Sequence, residues 1–233
     1  MATRLVFLFT LLTIFVTVSW AEEPMVLDRR LYNGRVYSIV MPKEKPADGY
    51  SLLLFLHAAG ARERQAFTLI GKDGADNGCI VIGPAAKDKK WARADEDEAF
   101  ILALIDSLQK EYDVPRTRTM VMGFGGGAAA ACRYAIANPD KAAFVCAVNG
   151  FASPKVLPTL LRETKVDVLA LVAEFTPYRG HVEKGVPVLG DAGYFVKMGL
   201  LKGMRHSYLA DQFNKPILDW FSERRKLRER KSR

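Results

Sequence analysis

Residues 123–127 are Gly123-Phe124-Gly125-Gly126-Gly127, between the apolar run Thr119 to Met122 and four alanines, Ala128 to Ala131. That order predicts a strand turning sharply into a helix. Such a turn presents either a side chain or a row of backbone amides to a ligand. In the nucleophile elbow G-x-S-x-G, a serine is held on a strained turn above the sheet edge. Here Gly123 and Gly127 occupy the outer glycine positions, and Gly125 stands in the serine's place. Two further segments fit acyl-transfer chemistry. Leu52 to Leu56 runs into His57-Ala58-Ala59-Gly60, where such folds build half of an oxyanion hole, and His206 follows the last strand-like segment, where they keep the general base. The mechanism needs a nucleophile, a base, a group that orients the base, and amide donors for the oxyanion.

The same glycines formally match the dinucleotide fingerprint G-x-G-x-x-A. The context argues against it. The acidic residue expected about twenty positions on, which would hold a ribose hydroxyl, is absent because the next strand ends at Asn149. The turn also follows several strands instead of opening the fold.

The elements that must position these groups are legible along the chain. Asn33-Gly34 is a two-residue hairpin signal flanked by Tyr32 and Val36. Strands are expected at 36–41, 52–56, 80–82, 119–122, 144–148, 168–172 and 194–200, the central ones uninterrupted and apolar, as in a sheet covered on both faces. Asp95 is placed to cap a helix in which Phe100, Leu104 and Leu108 recur every fourth residue beside Ile101 and Ile105. A second helix is expected at 126–137, closed by Asn138-Pro139, and a last one ends near Trp220. Residues 177–193, rich in Gly and Pro, read as a loop. Alternating strands and helices imply one mostly parallel sheet with right-handed crossovers.

The chain has 233 residues, 49% of them apolar, enough for one α/β core and short for two. In residues 1–21, Arg4 gives a positive start, Leu5 to Trp20 are apolar or hydroxylic, and Ser19-Trp20-Ala21 has small residues where a signal peptidase inspects. The stretch is short of the ~20 residues of a spanning helix. A cleaved signal peptide (1–21), a domain at 22–222 and export to the periplasm or exterior are therefore expected. Net charge is +8, and residues 223–233 hold seven basic against two acidic residues. This basic C-terminal tail suits either an anionic surface or the frayed, dipole-matched end of the last helix. No specific nucleic-acid motif accompanies it. Three cysteines, Cys79, Cys132 and Cys146, lie in apolar runs and form no disulfide framework, although Cys132 and Cys146 could pair after export.

Taken together, Arg35-Val36-Tyr37 leading to Pro42, "LLLFLHAAG" at 52–60, "WARADEDEAFILALIDSLQKEYDV" at 91–114, "VMGFGGGAAAACRYAIANPDKAAFVCAVNG" at 121–150 and "GMRHSY" at 203–208 resemble the secreted α/β-hydrolases of the polyhydroxybutyrate depolymerase and feruloyl esterase group. The resemblance implies an α/β-hydrolase fold, a mostly parallel central sheet with helices on both faces. It also implies a serine esterase mechanism, small ester or polyester and polysaccharide-ester ligands, and no metal or organic cofactor.

Residue by residue, His206 matches the group's base, and the amides of Gly126, Ala58 and Ala59 match its oxyanion donors. Gly125 vacates the nucleophile position. Thr176, in "LVAEFTP", vacates the acid position, with Glu174 or Asp191 as possible substitutes for orienting His206. Ser207, Ser153 and Thr176 are the candidates for a relocated nucleophile, and none has a local signature. His57 is expected to steady its loop, and His181 has nothing beside it to recommend it. The expectation is a secreted hydrolase-fold protein with lost or very weak esterase chemistry. The alternative is an active hydrolase using an unorthodox nucleophile or a water activated by His206.

Overall fold

The computed structural model describes residues 25–91 and 94–231, so the segment 1–21 expected to direct export lies outside the described residues. Eight strands make one sheet: β1 (Met25–Tyr32), β2 (Arg35–Pro42), β3 (Ser51–Leu56), β4 (Cys79–Pro84), β5 (Thr119–Phe124), β6 (Phe144–Val148), β7 (Asp167–Phe175) and β8 (Val196–Arg205). Their order is β1-β2-β4-β3-β5-β6-β7-β8. β2 is antiparallel to β1 and β4, and every pairing from β4 onward is parallel. The helices are α1 (Lys72–Asp76), α2 (Ala94–Tyr112), α3 (Gly126–Ala137), α4 (Leu157–Leu160), α5 (Arg179–Asp191) and α6 (Ala210–Lys231).

Local chemistry accounts for the main features. Asn33 and Gly34 both have positive φ, 46° and 74°, the turn whose twist suits a two-residue hairpin between β1 and β2. Every residue of β3, β4, β5 and β6 is buried, and the pleat sends alternate side chains to opposite faces. Leu52, Leu54 and Leu56 pack with Ile101, Leu104 and Ile105 of α2 and Ala128 and Ala131 of α3. Leu53 and Phe55 pack on the other face with Phe213, Ile217 and Phe221 of α6.

Four expectations need correction. Asp95 is not the cap of α2; it lies inside the first turn with Glu96 and Asp97, where negative charge still suits the helix dipole. The segment expected as a loop at 177–193 contains α5, because Val182 and Leu189, seven residues apart, bury one face against the core despite Pro187. Gly185 is what allows that approach: a Cβ there would lie 2.7 Å from the Phe151 ring. Cys132 and Cys146 are free, buried thiols in cores on opposite faces of the sheet.

The fourth correction concerns the basic segment, which is docked helix through Lys231. Arg224 Nε and Arg228 Nη2 donate to the two oxygens of Asp167, at 2.8 and 2.7 Å. Arg225 donates to Ser51 Oγ at 2.6 Å and to Asp48 Oδ2 at 2.8 Å. These arginines tie α6 to the starts of β7 and β3. Much of the charge concentrated there is therefore engaged in holding the last helix on the sheet. The Asp167 carboxylate is 5% exposed, and its two arginines are 20% and 21% exposed. Removing it leaves two mostly buried guanidinium groups, Arg224 without its carboxylate and Arg228 with only the Lys165 carbonyl, to which its Nη2 donates at 2.8 Å. Asp167→Ala is expected to cost about 2–4 kcal/mol, a little under the range for breaking fully buried pairs, read as a lower urea midpoint at unchanged slope.

Candidate functional site

The turn between β5 and α3 sits over the carboxyl ends of the central strands. Gly125 adopts φ 57° and ψ −117°, a region that residues with a Cβ rarely enter. Its neighbours are glycine for a different reason. A Cβ on Gly127 would collide with the carbonyls of Leu56 and His57, one on Gly123 with the backbone of Gly127, and one on Gly150 with the Gly125 carbonyl. At Gly125 itself a Cβ would meet no backbone; it would press on the His206 ring, with Nε2 at 3.3 Å and Cε1 at 3.4 Å, and lie 4.0 Å from Ala58 Cβ. The socket beside the ring is tight, and position 125 puts no side chain in it.

His206 follows β8 and faces that socket. Its ring stacks on Phe124 with centroids 5.1 Å apart and an interplanar angle of 18°, and Tyr178 lies at 5.4 Å. Partial burial holds the imidazole pKa below its ordinary 6.5. The ring Nδ1 is 2.8 Å from Thr176 Oγ1, so Thr176 occupies the position that orients the base. A hydroxyl both donates and accepts, unlike a carboxylate. Thr176 is 7% exposed, and its oxygen already accepts from Tyr178 N–H at 3.4 Å. The hydroxyl can donate to Nδ1 or accept from it, and the ring tautomer sets which of the two it does.

Neither candidate substitute reaches His206. Glu174 Oε2 accepts from Gly203 N–H at 2.7 Å, across the irregularity where β7 and β8 lose register between Ala173 and Phe175. Asp191 ends α5 and is exposed. Among the described residues, no carboxylate hydrogen-bonds His206.

On the oxyanion side, Ala58 does not serve as expected, because its N–H donates to Gln65 Oε1 at 2.7 Å. Ala59 remains. Its nitrogen lies 3.7 Å from a Cβ built on Gly126, and among the described residues neither the Ala59 nor the Gly126 amide has a protein acceptor. The Gly126 amide belongs to the first turn of α3, whose N–H groups lack intrahelical partners.

His57 is the loop's anchor. Its Nε2 accepts from Ala86 N–H at 3.2 Å, so Nδ1 carries the proton and donates to the Ala58 carbonyl at 2.8 Å. Trp91 Nε1 donates to the His57 carbonyl at 2.8 Å, and burial lowers the imidazole pKa. His181 is exposed on α5 and meets the ring of Tyr178, centroids 6.4 Å apart. Ser207 Oγ donates to the Arg205 carbonyl at 3.4 Å, and the Ser153 carbonyl starts the α4 turn. Neither serine contacts His206 among the described residues.

Sequence reasoning missed Asn149. It adopts φ 52° and is fully buried. Its Nδ2 donates to the Ser207 carbonyl at 2.8 Å, and its Oδ1 accepts from Ala173 N–H at 2.6 Å. One side chain therefore fastens the end of β6 both to β7 and to the loop that carries His206. The available signal was Asn149-Gly150 after an apolar strand, since Asn tolerates positive φ.

No protein-family model and no curated protein sequence matches the chain. Solved structures match over most of its length. An S-formylglutathione hydrolase from Staphylococcus aureus has a TM-score of 0.69 at 12% identity, with 86% of this chain and 96% of that one covered. A feruloyl esterase module from Clostridium thermocellum, complexed with sinapinate, has a TM-score of 0.67 at 14% identity, covering 86% and 88%. Esterase PE8 has a TM-score of 0.66 at 18% identity, covering 77% and 96%. At such identities the likeness shows the architecture, and the architecture is the α/β-hydrolase fold.

Proposed function

We propose that this chain is an exported α/β-hydrolase-fold protein in which ester cleavage is lost or nearly so, retained to bind a small ester or an ester-bearing polymer. One observation carries the reading: the residue at the elbow is a glycine at positive φ, facing a histidine whose other nitrogen is paired with a hydroxyl. The vacated nucleophile removes the attacking atom. The hydroxyl at 176 removes the charge that would stabilise an imidazolium and hold the proton on Nδ1. Both losses act against the same step, proton transfer from nucleophile to base. The fold neighbours named as esterases support an ester-cleaving lineage, and the export reading rests on residues 1–21.

An active hydrolase using water activated by His206 is the competing reading. It needs a stabilised imidazolium after His206 takes the proton from water, and Thr176 supplies no charge for that. A relocated serine is disfavoured because neither Ser153 nor Ser207 hydrogen-bonds His206 among the described residues.

The mature protein is expected to turn over p-nitrophenyl acetate far below ~1 per second, at the low end of ordinary enzymes, and to resist labelling by a fluorophosphonate. Turnover at or above that rate, abolished by His206→Ala, would overturn the proposal. Gly125→Ser alone is expected to gain little, and to lose about 1–3 kcal/mol of stability to backbone strain. Adding Thr176→Asp is expected to raise kcat by about 10²–10⁴ over the single variant, the scale on which a triad depends on its carboxylate. The same substitution has a signature without catalysis. His206 in the unaltered protein should titrate below 6.5 by NMR, and Thr176→Asp should move it above 6.5, because an adjacent carboxylate favours the charged ring.

A further inference from the structure

We infer that a second site lies at the opposite end of the sheet from the elbow, where Arg116, Arg224 and Arg228 line a cleft that binds a phosphate group, free or carried as a monoester by a small organic molecule. The cleft has a volume of about 410 Å³, and Thr117, Thr164, Lys165 and Asp167 complete its lining. β5 runs from Thr119 to Phe124, so the cleft at its amino end lies about 20 Å from the turn at Gly125. The inference does not depend on how that turn is read.

The charges in the cleft do not balance, since four cations line it with one carboxylate. Both oxygens of that carboxylate are taken, one by Arg224 Nε at 2.8 Å and the other by Arg228 Nη2 at 2.7 Å. Arg116 has no carboxylate partner among the described residues; its Nη1 donates to the Pro139 carbonyl at 2.8 Å. Asp140 acts on it only through space and pairs with Lys141 at 3.5 Å. Burial and the Arg228 charge together hold the Arg116 guanidinium below its ordinary pKa, as expected of a cation facing its like. Lys165 Nζ donates to the Arg162 carbonyl at 2.6 Å and lies 4.6 Å from the Tyr194 ring centroid, and neither neutralises it. Arg228 Nε is buried with no acceptor among the described residues. Docking of α6 accounts for Arg224 and Arg228. It does not account for Arg116.

The guanidinium groups are held in place before any ligand arrives. Arg224 lies 3.7 Å over the Phe195 ring and Arg228 5.6 Å from the Phe144 ring centroid. Arg116 opens the short turn before β5, and its carbonyl accepts from Ala143 N–H at 3.1 Å. Little rotamer freedom is left to lose on binding. Three planar forks and the hydroxyls of Thr117 and Thr164 offer more donors than the two oxygens of a carboxylate can accept. A phosphate monoester brings three oxygens and a charge of about −1.5 to −2 at pH 7, which matches the two guanidinium charges in excess of Asp167. Arginine also meets phosphate through paired, parallel hydrogen bonds. The cleft's volume lies within the ~300–1,000 Å³ of sites that hold small organic ligands, so a carrier group fits beside the anion. The occupant would join the turn at Arg116 to α6, placing negative charge where Arg116 and Arg228 now repel each other.

The test titrates the mature protein with glucose 6-phosphate, inorganic phosphate and acetate at pH 7.5 and constant ionic strength, read by calorimetry and by the urea midpoint. Glucose 6-phosphate is expected to bind with a Kd of about 1 mM or tighter, to raise the midpoint by mass action, and to exceed acetate at least about tenfold, the worth of one charge-assisted hydrogen bond. Inorganic phosphate binding as tightly as the sugar phosphate assigns the site to the free anion, and weaker binding assigns it to a phosphorylated organic ligand. Arg116→Gln, whose amide can still donate to the Pro139 carbonyl, should weaken glucose 6-phosphate about tenfold or more. Its ligand-free midpoint should stay level or rise, because a repulsion is relieved, and this verifies its fold. Lys226→Gln removes the same charge from the exposed side of α6, outside the cleft, and should change affinity less than about threefold. No saturable binding, acetate binding as tightly as glucose 6-phosphate, affinity unchanged by Arg116→Gln, or equal losses in the two variants overturns the inference. Turnover of p-nitrophenyl acetate reads the elbow alone, so failure here leaves the proposed function standing, and rapid turnover there leaves this site standing.

Discussion

Backbone pressed against backbone at the β5–α3 turn is the constraint on which the rest of the site depends. Gly127 lies so close to the Leu56 and His57 carbonyls, and Gly150 so close to the Gly125 carbonyl, that no methyl group fits at either position. Those contacts lock the start of α3 onto the ends of β3 and β6. The lock fixes Gly125 at positive φ, aims the first amides of α3 outward, and sets the distance to the 57–60 loop. Because it consists of main-chain contacts, it does not depend on which residue stands at 125.

On the proposed reading, this independence is what lets the chemistry leave while the architecture stays. A serine at φ 57° would hold strain of about 1–3 kcal/mol, justified only by a reaction. Glycine relieves it and disturbs no packing, since position 125 faces the socket and not the core. At 176 the replacement is of another kind. Threonine keeps a hydrogen bond to the ring at 2.8 Å and so holds the imidazole in place between Phe124 and Tyr178. What it does not keep is a negative charge, and charge is what an imidazolium needs in a partly buried position. Orientation and electrostatics are separable, and Thr176 supplies the first without the second.

Around the site, scaffolding is supplied by residues that are not themselves reactive. His57 satisfies both ring nitrogens within its own loop and the Ala86 amide. Gln65 ties down the Ala58 amide, which leaves Ala59 as the outward donor. Asn149 joins three segments at the sheet's carboxyl end. At the opposite end, Asp167 collects two arginines of α6, and so a charge-dense segment becomes an ordinary docked helix.

The sequence by itself determined the sheet and the glycine turn between β5 and α3. Leu52 to Leu56 and Phe144 to Val148 are apolar at every position because both their faces are covered, and the Gly123 to Gly127 spacing sets its own frame. Local composition concealed α5, whose Gly180, Gly185, Gly190 and Pro187 read as breakers; only packing against Phe151 and the core shows why they are tolerated. Contacts between distant segments were likewise invisible. Thr176 and His206 are thirty residues apart, and whether the ring met a hydroxyl, Glu174 or Asp191 depended on how β7 and β8 slip past one another at their bulge. Only the tertiary structure decided that, because a histidine's partner is whichever single atom fills hydrogen-bond distance, and no periodicity in a chain encodes that atom.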